Sequence, residues 1–213
     1  MRVLKKDLRG EEGEIALLPE SLDDLWHLRH LVERGDLVFA LSQRKVPAIA
    51  DKARPEKMER KTVRLGVKIE DVEFHMYSNW LRLHGRIVSG MDVGSYHTLN
   101  IEVGTDLSIL KYHWRPDLLA RIDDAVKESQ RPKVVLALVE EGEATIGLLR
   151  QFGVQMAAEI RMSSGKGSGE DTRASFMRGV AEAIDNAAGG GADVILAGPG
   201  FAKDDLKKVI DSS

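Results

Sequence analysis

Hydrophobic and polar residues alternate through much of the first half of the chain. Between Thr62 and Ile69, the apolar residues Val63, Leu65 and Val67 are separated by Arg64, Gly66 and Lys68. A period of two predicts a β-strand with one buried face. The same or a similar apolar pattern predicts strands over residues 1–8, 14–19, 36–42, 80–88, 97–103 and 107–114.

One helix interrupts these strands. Ser21 is a candidate N-cap with Asp24 three residues on, and apolar residues from Leu22 to Val32 recur at helical spacing before Gly35. Gly35 is the expected end of this helix. Six or so short strands with one early helix predict a small β-barrel, because closure removes exposed strand edges.

The pattern changes after Pro116, which is expected to begin a helix near the junction of two domains. Beyond it, Glu141-Gly142 predicts a hairpin between two apolar strands, and the segment 193–197 is apolar enough for a buried parallel strand. We therefore predict a barrel domain over 1–128 and an RNase H-like mixed α/β domain over 129–213. A domain of this second type needs more chain than follows Ile210, so we expect it to be incomplete.

Composition limits the class of protein. The chain has 213 residues, of which 43% are hydrophobic, and this is enough to build packed cores. No apolar run approaches the ~20 residues that span a bilayer. The chain contains zero cysteines, which excludes disulfides and thiolate metal sites and leads us to expect a cytoplasmic protein.

Positive charge is concentrated in one segment, although the net charge is -3. Residues 42–68 carry nine Lys or Arg against three acids, a local excess of six. Such a patch predicts contact with RNA phosphates, and a solvated charged loop is the alternative. The candidate RNA-binding residues are Arg44, Lys45, Lys52, Arg54, Lys57, Arg60 and Lys61.

Several segments together resemble the archaeal pelota family of ribosome-rescue proteins, which are relatives of class-1 release factors. They are PESLDDLWHLRHLVERGDLV, SQRKV, KTVRLGVKIEDVEF, LRLHGRIV, GSYHTLNIEVGT, VVLALVEEGEATIGLL and ADVILAGPGF. The resemblance implies an Sm-like first domain and a release-factor-like central domain. It also implies that a third domain, which docks an elongation-factor-like GTPase and an ABC-type recycling ATPase, is absent here.

The resemblance further implies a function. Gln43 to Val46 is similar to the family loop that enters the decoding centre, so we expect binding to the vacant A site of a stalled ribosome, in contact with mRNA. The segment SSGKGSGED lacks the glutamine that release factors use, so we expect no peptidyl-tRNA hydrolysis. Lys166 and Arg173 are candidate contacts to the P-site tRNA; a plain flexible linker is the alternative for the Lys166 loop. We expect a monomer with no membrane contact that needs no cofactor for binding.

The alternative function is a divalent-metal-dependent endoribonuclease that cuts the stalled mRNA. The family is credited with such an activity, and Glu20, Asp23 and Asp24 are weak candidates for holding the metal. Acids in the first turn of a helix are also favoured by capping and by the helix dipole. No catalytic histidine or nucleophile can be argued from spacing, so whether the chain is an enzyme stays open.

Overall fold

The computed structural model describes residues 1–46, 59–75, 79–131, 133–162 and 169–212. The chain divides into two compact units, residues 1–130 and 131–213. The boundary expected from the sequence, between residues 128 and 129, lies next to this division. Within the described residues, no helix has the length and apolar character needed to cross a membrane.

The first unit is built mainly from strands. In order along the described chain, its elements are β1 (Arg2–Arg9), β2 (Glu12–Leu18), α1 (Leu22–Leu31), β3 (Leu37–Val46), β4 (Glu59–His75), β5 (Trp80–Ser89), β6 (Tyr96–Glu102), β7 (Leu107–Lys111) and α2 (Pro116–Glu128). The strands form one sheet in the order β1-β2-β7-β3-β4-β5-β6. Every neighbouring pair in it is antiparallel.

The sheet curls because its longest strand changes partner along its length. β4 pairs with β3 through Glu59–Lys68 and with β5 through Gly66–His75. Register shifts on both sides of Val67–Ile69 add local bends. The curl brings β3 and β6 together although they are not neighbours in the sheet, and Ser42 Oγ lies 2.8 Å from His97 Nε2.

Alternation along the strands places the core inside this curl. On β5, Leu81, Leu83 and Ile87 are buried while the residues between them are exposed, as the period of two predicts. The two helices add apolar side chains to the same core, among them Leu25 and Ile122. Each fully buried side chain of this size contributes about 1.5–3 kcal/mol.

The second unit is an α/β layer. Its described elements are β8 (Val134–Glu140), β9 (Glu143–Arg150), β10 (Gly153–Arg161), α3 (Gly169–Ala188), β11 (Asp193–Ala197) and α4 (Ala202–Asp211). The sheet order is β10-β9-β8-β11, with β11 parallel to β8 and the other pairs antiparallel. A β-rich unit followed by an α/β unit confirms the fold class expected from the sequence.

Both helices of this unit contribute to one core, on one face of the sheet. Val135, Ala137 and Val139 are buried there against α3 and α4. On β8 the side chains alternate, so the opposite face carries Leu138, which is 45% exposed, and on β11 Ile195, which is 52% exposed.

Two local expectations were wrong. The first helix ends at Leu31 rather than at Gly35, because Val32 is already extended and its N–H closes the last turn on Leu28 O. Gly35 instead adopts a φ of +100° and donates its N–H to Ile69 O, which ties the connection to β4. The strands that flank the basic segment are also longer than expected, since β3 continues to Val46 and β4 begins at Glu59.

Candidate RNA-binding surface

The outer part of the β3–β4 hairpin carries the basic residues expected to bind RNA. We call Ser42–Val46 together with Glu59–Val63 the basic arm. Its register sets Arg44 opposite Lys61 and Lys45 opposite Arg60. The register thus brings four basic residues onto two adjacent rungs of the arm, which is a high density of positively charged positions along the backbone.

The remaining candidates of this group are Lys52, Arg54 and Lys57. They lie between residues 47 and 58, outside the described residues. The structure therefore brings four of the seven candidates together on adjacent backbone positions and leaves three untested.

The base of the arm is held by two neighbouring elements. The turn between β5 and β6 lies against β4 so closely that a Cβ on Gly90 would sit 2.8 Å from Arg64 O. Gly90 has a φ of +103°, which also favours glycine. On the other side, Arg64 Nη2 donates to Ser108 Oγ of β7 at 3.3 Å. The arm thus projects from a fixed base.

The acids proposed for a metal site are used by the helix start. Ser21 Oγ accepts from the Asp24 N–H at 3.2 Å, and Asp24 Oδ2 accepts from the N–H groups of Glu20 and Ser21 at 2.7 and 3.1 Å. The Met1 ammonium lies 2.6 Å from the same oxygen. The Asp24 side chain is only 2% exposed. The expected capping box is confirmed, and Asp24 faces the chain rather than solvent.

The other two acids do not complete a metal site. Glu20 pairs with Arg2 at 2.9 Å, and Asp23 also has an interaction partner. Within the described ranges, no group of three His, Asp or Glu side chains is arranged to hold a metal ion. Glu20, Asp23 and Asp24 are close in sequence, but their contacts are structural ones.

A buried histidine lies beside this helix start. His27 is 5% exposed, and neither ring nitrogen hydrogen-bonds to a residue that the structure describes. Burial lowers the pKa of His27 below its usual 6.5, and Arg121 and His30 lower it further, against the opposing charges of Asp24 and Asp23. At neutral pH the folded unit therefore favours the neutral form of His27.

We expect this histidine to make the first unit less stable in acid. In the unfolded chain, His27 binds a proton at a higher pH than it does in the folded unit. The free energy of unfolding is therefore unaffected by this group well above pH 6.5, and it falls as the pH drops from 6.5 towards the lowered pKa. Urea unfolding followed by tryptophan fluorescence between pH 7.5 and 5 measures this loss. The variant His27→Leu should lose less stability over the same interval; an identical decline in both proteins would contradict the assignment.

The second unit places one of its two tRNA-facing candidates in a structural contact. Arg173 of α3 pairs with Asp205 of α4 at 2.9 Å, and Lys208 pairs with the same carboxylate at 3.0 Å. These hydrogen bonds lower the pKa of Asp205, with Lys208 the larger cause. Lys166 lies outside the described residues. Arg173 thus joins two helices, whatever else it contacts.

Sequence reasoning missed an ion network around a buried lysine in the first unit. Lys111, at the end of β7, is only 2% exposed and pairs with Asp36 and, at 2.9 Å, with Glu33. Arg115, before α2, reaches the other Glu33 oxygen at 2.9 Å. Burial raises the pKa of the Asp36 carboxyl, although hydrogen bonds from Lys111 and the Glu33 N–H oppose the rise. This network links α1, β3, β7 and α2.

Sequence reasoning also missed a group of planar side chains on the outer face of β5 and β6. The rings of His84 and Tyr96 are stacked with an interplanar angle of 4°. The Arg86 guanidinium lies 4.9 Å from the Tyr96 ring centre. The strand alternation predicts that these residues face outward, but their mutual contact depends on the cross-strand register, which the sequence alone did not supply.

The domain that carries this surface matches a known protein family. Residues 1–126 match the family model described as the Pelota N-terminal domain. The chain belongs to the pelota family. The protein pelota homolog of Methanothrix thermoacetophila is 67% identical over 212 residues, covering 100% of this chain and 61% of the relative. The homolog of Methanosarcina acetivorans is 51% identical over 208 residues, covering 98% and 59%. This chain therefore spans about three fifths of the length of these pelota homologs.

Solved pelota structures show the same fold. The crystal structure of Thermoplasma acidophilum Pelota is 25% identical, covers 100% of this chain and 59% of that one, and matches with a TM-score of 0.74. A chain in a model of ribosome-bound archaeal Pelota and ABCE1 is 35% identical, covers 100% and 62%, and matches with a TM-score of 0.51.

Proposed function

We propose that this chain is the ribosome-contacting part of a rescue factor that recognises stalled ribosomes in mRNA surveillance. The first unit inserts its basic arm into a vacant A site and contacts ribosomal RNA and the end of the mRNA there. The observation that carries the proposal is the register of the arm, which sets Arg44 opposite Lys61 and Lys45 opposite Arg60 in a member of the pelota family.

Physical chemistry supports this use of the arm. An unoccupied A site is a cavity lined by RNA phosphates, and cations that replace condensed counterions there gain affinity without reading base sequence. A two-stranded arm is narrow enough to enter such a cavity, and its fixed base at Gly90 and Ser108 limits the entropy lost on insertion.

The second unit has a different part in this proposal. It lies beside the P-site tRNA, with Lys166 following the acceptor stem by charge. Residues 163–171 read SSGKGSGED and contain no glutamine to place water against the peptidyl ester. The factor therefore leaves the peptidyl-tRNA intact, and an ABC-type ATPase separates the subunits.

The proposed partners of the full-length protein are inferred from a solved relative and from the family resemblance. An archaeal relative is known from a ribosome-bound model together with ABCE1, which supports the ribosome and an ATPase of this kind as partners of the full-length protein. The elongation-factor-like GTPase is proposed from the family resemblance alone. We propose a monomer that works in the cytoplasm and requires no cofactor for binding.

The endoribonuclease alternative would need a divalent cation near Glu20, Asp23 and Asp24. The Asp24 carboxylate already accepts from three N–H donors, including the Met1 ammonium, and the Glu20 carboxylate forms an ion pair with Arg2. No observation in the described residues favours this alternative, so binding without RNA cleavage is the conclusion we draw.

The test compares ribosomes that differ only in the A site. Labelled protein should bind ribosomes with a P-site peptidyl-tRNA and an empty A site, and a tRNA or release factor in the A site should abolish binding. In the same reactions the peptide should stay on its tRNA and the mRNA should stay uncut in the presence of Mg²⁺. Equal binding to both ribosomes would overturn the proposal, and cleavage of mRNA would establish the alternative.

A further inference from the structure

The outer face of β4, β5 and β6 combines planar and charged side chains in alternate rungs. Across the three strands, Lys68 stands beside Arg86 and Tyr96, Asp71 beside His84 and Thr98, and Glu73 beside Arg82 and Asn100. Structural packing alone does not require such a set, because all of these positions face away from the core of the unit.

Residues of the first two of these rungs form a stack of planar groups. Tyr96 is 53% exposed, and its ring lies parallel to that of His84 with 5.6 Å between the ring centres. Arg86 Nη2 donates to the Tyr96 hydroxyl at 2.9 Å, which fixes the phenol. His84 Nδ1 lies 2.9 Å from Thr98 Oγ1, which fixes the imidazole. Three flat groups are thus held in place while remaining open to solvent.

A shallow cavity adjoins this stack. It has a volume of about 260 Å³ and is lined by Asp71, Glu73, Arg82, His84 and Thr98. Drug-sized ligands occupy cavities of about 300–1,000 Å³, so a space of this size suits a fragment such as one nucleobase. Its carboxylates are hydrogen-bond acceptors only. Glu73 also lies 3.3 Å from His75 Nε2, which orients it at the rim.

We propose that this face binds one unpaired nucleotide of RNA and prefers guanine. The base stacks on the ring of His84, which lines the cavity and is itself stacked with Tyr96, as bases of single-stranded RNA stack on aromatic planes. The site deepens the proposed function and rests on it, since RNA reaches this face when the adjacent basic arm enters the ribosome.

The carboxylates of Asp71 and Glu73 favour guanine over the other bases. Guanine offers two adjacent N–H donors, on N1 and N2, and a single carboxylate of Asp71 or Glu73 accepts both. Adenine and cytosine offer one amino group each, and uracil one ring N–H. Lys68, Arg82 and Arg86 lie on the same face to meet the phosphate, whereas Glu70, Asp71 and Glu73 repel a long phosphate backbone. The face therefore suits one base rather than a tract.

The test uses fluorescein-labelled RNA heptamers and fluorescence anisotropy. UUUGUUU should bind at least about fivefold more tightly than UUUAUUU or UUUUUUU, the least that a two-bond base contact gives. Tyr96→Ala should weaken binding of all three by about five- to 150-fold, the range for loss of one stacking residue. Asp71→Asn combined with Glu73→Gln should remove the preference for guanine while binding of UUUUUUU is kept or improved.

Matched controls separate this site from general charge and from folding. Tyr112→Ala removes another tyrosine of the first unit, 75% exposed, and should bind every heptamer as the unaltered protein does. Each variant should retain the tryptophan fluorescence of the folded unit. Equal affinity for the three heptamers, or unchanged affinity in Tyr96→Ala, would overturn the guanine site. If heptamers bind as predicted but vacant ribosomes do not bind, the proposed function alone fails; if ribosomes bind and Tyr96→Ala changes nothing, the guanine site alone fails.

Discussion

Affinity for ribosomes with a vacant A site should fall by about 10²- to 10³-fold at physiological salt when Arg44, Lys45, Arg60 and Lys61 are all replaced with alanine. The register sets these residues on two adjacent rungs of the arm. Each phosphate contact releases about one condensed counterion, so four lost contacts remove a large part of the electrostatic free energy of binding. We expect the largest functional effect in the chain from this variant.

The salt dependence identifies the mechanism. In a plot of log affinity against log potassium concentration at constant Mg²⁺, the slope should become less steep by about 3 in the variant, since each of the four lost contacts contributes about 0.7 to 0.9. The matched control replaces Lys5, Lys6, Arg9 and Arg34, four exposed cations of the first unit outside the arm. It changes the net charge equally and should keep nearly the full slope. Equal loss in both variants would mean that overall charge, not the arm, binds RNA.

Lys111→Ala should have the largest effect on stability, lowering the free energy of unfolding of the first unit by about 3–5 kcal/mol. Lys111 is 2% exposed and Asp36 is 11% exposed, so removing the ammonium leaves a carboxylate buried without its counter-charge. The ammonium also lies 5.6 Å from the Trp114 ring centre. Four elements meet at this network, and the loss is therefore expected in the whole unit.

Urea unfolding followed by tryptophan fluorescence measures this effect, because Trp26, Trp80 and Trp114 all belong to the first unit. Lys127→Ala removes an exposed pair with Asp124 and should change stability by less than about 1 kcal/mol. The double variant Lys111→Met with Asp36→Leu should regain most of the loss, since apolar residues of similar volume replace both charges. A double variant as unstable as Lys111→Ala would show that packing, not the unpaired carboxylate, explains the loss.

Local patterns predicted most elements of the fold for a physical reason. Alternation on β5, the capping box at Ser21 and Asp24, and the hairpin at Glu141-Gly142 depend only on residues a few positions apart. The spacing of residues along the chain is therefore enough to predict these features. The family resemblance added the expectation that the first domain is Sm-like and the second release-factor-like.

Features that join distant parts of the chain could not be predicted in this way. Lys111 ends a strand where an exposed cation is expected, and its burial depends on Glu33 and Asp36, more than 70 positions earlier. The stack of His84 on Tyr96 likewise depends on which residues of β5 and β6 stand opposite one another. For Asp24, the sequence left capping and metal binding open. The structure shows that its carboxylate accepts from two backbone N–H groups and from the Met1 ammonium, and this last contact could not be read from local spacing.

The basic arm is proposed to fill an unoccupied decoding site, and a tethered cleavage reagent tests this most directly. The chain contains zero cysteines, so Lys45→Cys provides a unique attachment point for an iron chelate that generates hydroxyl radicals. On ribosomes with a vacant A site, cleavage should occur in the ribosomal RNA of the decoding centre and disappear when a tRNA fills the A site. Cleavage elsewhere on the ribosome, or an identical pattern with the A site filled, would contradict the account.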